Sequence, residues 1–113
     1  MRLSAEPFVV KLDGHLTRAQ LDETLGTLGE QIASVGLATV ILDCSEMGGY
    51  DLDARHAFVD WNKRWRDQVV RVAIVTDNRL YHVVVATMSL AAGQAMKAFS
   101  SRSEAETWAR TGL

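Results

Sequence analysis

Asp43 and Asp77 are the residues with most claim to chemistry. Each follows an apolar run of strand length, Ala38 to Leu42 (ATVIL) in one case and Val70 to Val75 (VRVAIV) in the other. In a parallel sheet both carboxylates would emerge at the carboxyl edge, where open α/β sheets bind ligands. Ser45, Thr76 and Asn78 are close to them in sequence. Two carboxylates at that edge can share a proton, hold a cation or take a proton from a substrate. The commoner use of Asp and Asn beside strands is local, accepting backbone N–H bonds in turns and at helix starts. No third catalytic group is tied to the pair. Asp43, Ser45 and Asp77 therefore stand as a candidate polar site at the sheet edge, with no catalytic residue assigned.

The remaining reactive side chains form no known pattern. The single cysteine, Cys44, would be a reactive thiol if a helix N-terminus lowered its pKa. A lone cysteine beside a buried strand is more often a small, inert hydrophobe. One thiol permits no internal disulfide and fits a reducing, cytoplasmic compartment. His15, His56 and His82 lie in different elements, and none has the H-x-x-x-H or C-x-x-C spacing of metal ligands. Gly48-Gly49 lacks the lysine and the preceding strand pattern of a phosphate cradle. No metal or other cofactor is expected. An enzyme built on Asp43, Cys44 and Asp77 ranks last among the functions considered.

Charge and composition exclude further classes. A net charge of −2 over 113 residues gives no sign of the basic face that a general nucleic-acid binder needs. The longest stretch without Asp, Glu, Lys or Arg runs from Leu80 to Met96. It contains His82, Thr87, Ser89 and Gln94 and falls short of the roughly 20 apolar residues of a membrane span. The opening MRLSAEPFVV has no apolar stretch of signal-peptide length. Nearly half the residues are apolar, enough for an ordinary core, and the length suits one domain over 1–113.

Strand-length apolar runs alternate with helical patterns, which predicts an α/β fold with a largely parallel sheet. The first strand is Phe8 to Leu12. Thr17-Arg18-Ala19-Gln20 fits a capping box, with Leu16 and Leu21 placed as a hydrophobic staple. Leu21, Leu25, Leu28, Ile32 and Val35 then make one apolar helical stripe, ended by Gly36. Ala38 to Leu42 is a strand covered on both faces, and Asp43 to Tyr50 reads as a loop. Asp51 is placed to cap a second helix carrying Leu52, Ala54, Ala57, Phe58, Trp61 and Trp65 on its apolar side. Val70 to Val75 is the next strand. Asp77-Asn78 opens a third helix, from about Arg79 to Ala92, ended by Gly93. Ala95 to Phe99 is the last strand, and Ser101-Arg102-Ser103-Glu104 is a second capping-box candidate. The order is β-α-β-α-β-α-β-α, and right-handed crossovers would place helices on both faces of the sheet. A short extra strand at Met1 to Ser4 has little length to form.

The second and third helices hold the surface of most interest. Phe58, Trp61 and Trp65 fall at i, i+3 and i+7 and form one aromatic stripe. The third helix has Tyr81, Val84, Val85, Met88 and Ala92 on one side, while Val83, Ala86 and Leu90 clothe the rest. A helix apolar nearly all round is either deeply buried or covered by something else. Three outcomes follow: ordinary core, an apolar ligand pocket between these helices, or a self-association face. Aromatic anchors and adaptable methionines suit the last two. Phe58, Trp61, Trp65, Tyr81, Val85 and Met88 are the candidate ligand- or partner-binding residues. Lys63, Arg64 and Arg66 make a short basic cluster that suits an acidic partner or a lipid head group, although Asp60 and Asp67 offset it. Gly26 and Gly29 cost the first helix about 1 kcal/mol each relative to Ala. With Ala33 they form a small-residue strip that allows close helix approach.

The order of elements, together with several segments, resembles the STAS-like domains, in particular the SpoIIAA-like branch also labelled STAS/SEC14. The matching pieces are Gly14-His15-Leu16-Thr17 before the first helix and Leu42-Asp43 closing a buried strand. Further on come Arg71 to Asn78 (RVAIVTDN), Met96 to Phe99 (MKAF) and Glu104 to Trp108 (EAETW). Together they span almost the whole chain. The resemblance implies a four- or five-stranded sheet packed with helices and a non-catalytic role. It further implies a protein-interaction module of bacterial regulation, with small or lipophilic ligands in some members. Anti-anti-sigma members switch by phosphorylation of a serine that follows an aspartate at the start of the second helix. Here that place holds Asp51-Leu52, so the resemblance does not extend to the switch, and Ser45 does not match the position.

The leading reading is a regulatory or scaffold module that binds a protein partner or a second copy of itself. The alternative is a carrier or sensor holding a lipophilic small molecule between the second and third helices.

Overall fold

The structure, a computed structural model, describes residues 6–113. The strand considered at Met1 to Ser4 lies outside the described residues. Four strands form one fully parallel sheet in the order β1-β3-β5-β6: β1 (Phe8–Lys11), β3 (Ala38–Asp43), β5 (Val69–Val75) and β6 (Met96–Phe99). Each helical crossover advances in the same direction across the sheet. Right-handed connections of that kind deliver their helices to one face. The three crossover helices are α1 (Arg18–Val35), α2 (Leu52–Trp65) and α3 (Arg79–Ala92). They bury Leu25, Leu28, Ile32, Phe58, Val85 and Met88 with Val40, Leu42, Val72 and Ile74 of the sheet. The opposite face, Ile41, Ala73 and Val75, is covered by Ala105 and Ala109 of the last helix, α4 (Arg102–Thr111). Helices do lie on both faces, but the crossovers put three on one side. Only the terminal helix reaches the other.

The local signals at element ends hold with few exceptions. In the α1 capping box the Gln20 amide donates to Thr17 Oγ1 at 3.2 Å, and the Thr17 amide donates to Gln20 Oε1 at 3.1 Å. Leu16 and Leu21 are both buried, as a staple requires. Asn78 Oδ1 caps α3 by accepting from the amides of Leu80 (2.9 Å) and Tyr81 (3.4 Å). Gly93, at φ 63° and ψ 35°, ends it in the left-handed conformation. At α4 the Ser101 hydroxyl accepts from the Glu104 amide at 3.4 Å, half of the expected box. Val35 and Leu52, expected on apolar stripes, are 41% and 60% exposed, one as the last residue of α1 and the other as the first of α2.

The largest departure is in the stretch read as a loop. Met47–Tyr50 is a strand, β4, and pairs in parallel with a three-residue strand, β2 (Gly14–Leu16). This ribbon joins the turn before α1 to the turn before α2. Its glycines read as turn residues, and the pairing that makes it a strand is not local.

Helix α1 approaches α2 through its small residues. A Cβ built on Gly29 would lie 2.9 Å from Cζ2 of Trp65, whereas one on Gly26 would meet nothing within 4 Å. Trp61 fixes the same contact by donating its indole N–H to the Leu25 carbonyl at 3.2 Å. On the far face Arg71 binds α4, with Nε and Nη2 donating to the Ala109 carbonyl at 3.1 and 3.0 Å. That satisfies carbonyls at the negative end of the helix.

The two glycines predict opposite outcomes. Gly26→Ala should stabilise the protein by about 0.8–1.0 kcal/mol through helix propensity alone. Gly29→Ala gains the same propensity but displaces the Trp65 ring, and should fall at least ~1 kcal/mol below Gly26→Ala. Urea unfolding midpoints measure both, and equal stabilisation would mean that the Trp65 ring moves freely.

Candidate functional site

The carboxyl ends of β1, β3 and β5 lie beneath the first turns of the three crossover helices. The β2/β4 ribbon closes one side. Between these parts is a cavity of about 70 Å³. Leu12, Leu42, Cys44 and Ile74 line it from the sheet side, with Leu16, Met47 and Tyr50 from the ribbon. Leu21 of α1, Ala54, Arg55 and Phe58 of α2, and Tyr81, Val84, Val85 and Met88 of α3 complete it. Arg55 is the only charged side chain in this lining. The Tyr50 and Tyr81 rings meet at 5.6 Å, tilted by 58°, and both are partly exposed.

The six candidate binding residues do not converge on one place. Phe58, Tyr81, Val85 and Met88 line the cavity. Phe58, Val85 and Met88 are also buried core, so they present no face to a protein partner. Trp61 and Trp65 turn toward α1 instead. They line a separate open groove of about 540 Å³ floored by Leu25, Gly26, Gly29 and Ala33, with Arg18, Asp22, Glu30, Asp60 and Arg64 along its banks. Helical spacing gave the correct stripe but not its neighbour, because a stripe more than 100° wide can face two helices. In the basic cluster, Arg64 lies over the Trp65 ring at 5.9 Å and Arg66 Nη1 donates to the Ala92 carbonyl at 3.5 Å.

Of the polar pair at the sheet edge, Asp43 is engaged by Ser45 and Arg102. Asp43 Oδ1 accepts from the Ser45 hydroxyl at 2.6 Å and from the Ser45 amide at 3.1 Å, and Arg102 lies 3.5 Å from Oδ2. The Ser45 hydroxyl is the main reason the Asp43 carboxyl sits below its usual pKa. Partial burial opposes the shift, while the Ser45 amide, Arg102 and Lys11 add to it. Asp77 is exposed. A monotonic strand order also lacks the reversal that opens a crevice at the carboxyl edge of doubly wound sheets. The cavity lies on the helical face, over the carboxyl ends of β1, β3 and β5.

Cys44 faces this cavity from below. Burial, followed by the nearby Asp43 charge, pushes its thiol up to about 12. Such a thiol is protonated and inert at neutral pH. His15 Nε2 lies 2.7 Å from Asp51 Oδ1 across the exposed junction of β2 and α2. Asp51 occupies the N-cap position of α2, yet its side chain makes no capping bond, and its carboxylate meets His15 instead. Sequence spacing could not supply this contact, since 36 residues separate the two and β2 was not anticipated. His82 Nε2 lies 2.8 Å from the Thr76 carbonyl, and His56 is exposed on α2. Among the described residues no three His, Cys, Asp or Glu side chains group as metal ligands do, and no helix is long and apolar enough to cross a membrane.

A parallel sheet with three helices on one face, a fourth on the other and an apolar cavity under the helix starts defines a STAS-type α/β domain. The chain belongs to the SpoIIAA-like family, whose family model matches residues 8–110. Among solved structures it is similar to an uncharacterized protein of the DUF3478 family with a SpoIIAA-like fold from Shewanella loihica PV-4. The two share 19% sequence identity at a TM-score of 0.73, over 89% of this chain and 82% of that one, a likeness of fold. A search of curated proteins found no match.

The state of Cys44 is directly measurable. At about pH 8 iodoacetamide should leave the native protein unmodified and alkylate it fully once unfolded. The unfolded thiol ionises near 8.5 and the folded one only near 12, so stability should fall as pH rises between those values. Rapid native-state alkylation would show that the cavity floor opens.

Proposed function

We propose that the chain is a non-catalytic cytoplasmic regulatory or scaffold module that acts by protein–protein binding, with a second copy of itself as the partner. Membership of the SpoIIAA-like family supports the regulatory role. The observation that carries the binding role is the outer face of α3. Leu80, Val83 and Leu90 are 66%, 62% and 86% exposed, and Thr87, also exposed, completes a 3-4-3 spacing with them. That spacing is the seam of two packed helices. The Thr87 hydroxyl donates to the Val83 carbonyl at 3.1 Å, so the stripe leaves no side-chain donor unpaired. No Asp, Glu, Lys or Arg occurs from Leu80 to Ala92, and His82 is engaged by the Thr76 carbonyl, so two copies can meet on the stripe without like-charge repulsion. The phospho-switch of anti-anti-sigma members has no counterpart at Leu52, so binding would not be gated at that position.

Size sets the strength. A 14-residue helix is about 21 Å long, and a helix pair of that length falls at or below the ~1,200 Å² of standard interfaces. The dimer should therefore be weak and concentration-dependent. Sedimentation velocity across a concentration series should show a monomer–dimer equilibrium that Leu90→Glu removes without lowering the melting temperature. A wild-type chain that stays monomeric throughout, or a Leu90→Glu variant that still dimerises, would sink the reading.

A second reading is favoured by the cavity itself. Its apolar lining of Phe58, Tyr81, Val85 and Met88 suits a lipophilic small molecule, and Met47 and Met88 can adjust to one. Native mass spectrometry of the purified chain should then reveal a co-purifying apolar mass that is lost on denaturation.

A further inference from the structure

We infer that the cavity suits a small neutral hydrocarbon with a π system and offers nothing to a polar head group. This rests on the second reading above, that the cavity takes a small molecule, and adds the ligand's chemistry. Polarity, size and the make-up of the wall carry it.

The wall is apolar almost throughout. Arg55, its one charged residue, therefore lends its aliphatic stem and keeps its guanidinium out of the space. Tyr50 and Tyr81 likewise lend ring surface and no hydroxyl. The Cys44 thiol is held protonated by burial and adds no charge. A hydroxyl or carboxylate drawn inside would leave water and find no hydrogen-bond partner. A hydrocarbon loses no hydrogen bond on entering.

The cavity measures about 70 Å³. Leu12, Leu42, Cys44 and Ile74 are buried and close it on the sheet side. Met47, Tyr50, Arg55, Tyr81 and Val84 are the partly exposed members of the lining and mark its mouth. A dry apolar cavity of ~150 Å³ accepts benzene, so this one encloses about three carbons, with one or two more at the mouth. A long acyl chain does not fit inside.

The wall is also rich in polarizable atoms. The chain has four methionines and one cysteine, and Cys44, Met47 and Met88 all line this cavity. The rings of Tyr50, Phe58 and Tyr81 join them. Sulfur makes favourable contacts with π systems, and so do aromatic rings. An alkene therefore gains more on this wall than an alkane of the same size.

The test is an NMR titration of the Met47 and Met88 methyl groups. The probes are isoprene, its saturated counterpart 2-methylbutane, the head-group analogues 3-methylbutanol and 3-methylbutanoate, and xenon. Isoprene should shift both methyls saturably, with a dissociation constant in the millimolar range, as few buried carbons allow. Xenon should shift the same methyls, because it is small and polarizable. The alkane should bind about threefold more weakly than isoprene, and the alcohol and the acid more weakly still. Met88→Leu keeps the volume, and read at the Met47 methyl it should narrow the preference for isoprene over 2-methylbutane. Arg55→Gln should leave every affinity unaltered. Val85→Phe, with folding confirmed by circular dichroism, should abolish the shifts by filling the space. If alkane and alkene bind equally, the π preference falls. If the acid binds as tightly as isoprene, or Arg55→Gln weakens it, the neutral assignment falls while the cavity stands as a ligand site. If no probe, xenon included, shifts either methyl, the proposal and the ligand reading fall together.

Discussion

The inner strands β3 and β5 have to be covered on both faces. Val40, Ile41 and Leu42 stand beside Val72, Ala73 and Ile74 in register, and all six are buried. A parallel pair of this kind cannot be closed by a hairpin, so helical crossovers must cross the sheet. Because each new strand adds on the same side as the last, all three crossovers deliver their helices to one face. The other face then depends on whatever follows the last strand. Here that is α4, a ten-residue helix whose buried residues are two alanines. Its docking relies on Arg71 gripping its C-terminal carbonyls and on Trp108 packing against Phe99 at 5.6 Å. Toward β1 the cover gives out, and Val9 is 47% exposed.

Crowding three helices onto one face explains the rest of that side. Helices α1 and α2 come together where Gly29 removes a side chain and Trp65 fills the space. At the N-terminal ends the helices are held up by the β2/β4 ribbon, and the cavity is what that support leaves unfilled. Asn62, near the C-terminal end of α2, carries a local polar cost. It is fully buried, its amide donates to the Phe58 carbonyl at 2.8 Å, and its Oδ1 has no partner among the described residues. An unpaired buried carbonyl costs about 1–3 kcal/mol, tolerable only where surrounding packing fixes the side chain.

What could be read from sequence follows the range of the interactions concerned. Thr17-Gln20, Asn78 and Gly93 act within four residues, and their roles were legible without a fold. The apolar run of β3, and that of β5 beyond Arg71, were legible because burial on both faces leaves no alternation. The ribbon was not, since three glycines in Gly14, Gly48 and Gly49 speak for turns and only distant pairing makes strands of them. Nor was the parting of Trp61 and Trp65 from Tyr81 and Met88. Periodicity assigns a residue to a stripe, and the crossover geometry alone decides which helix that stripe meets. Asp43 and Asp77 were drawn together by their equivalent places after two strands, yet Ser45 and Arg102 already engage the carboxylate of Asp43.

Helix α3 joins the two functional ideas physically. Its inner side gives Tyr81, Val84, Val85 and Met88 to the cavity, and its outer side carries Leu80, Val83, Thr87 and Leu90. Both sides belong to one fourteen-residue helix, so a shift of its axis would be felt on each. It is also the last helix of its layer, lying over the edge strand β6, with α2 as its helical neighbour. A ligand that lifts α3 slightly would change the seam offered to another copy, and a copy bound to the seam would change the room in the cavity. Linkage requires the two effects to be equal in free energy, whichever binds first. Under the proposed function, coupling of that kind would need no phosphorylated serine, since one helix borders a cavity on one side and carries an exposed apolar stripe on the other.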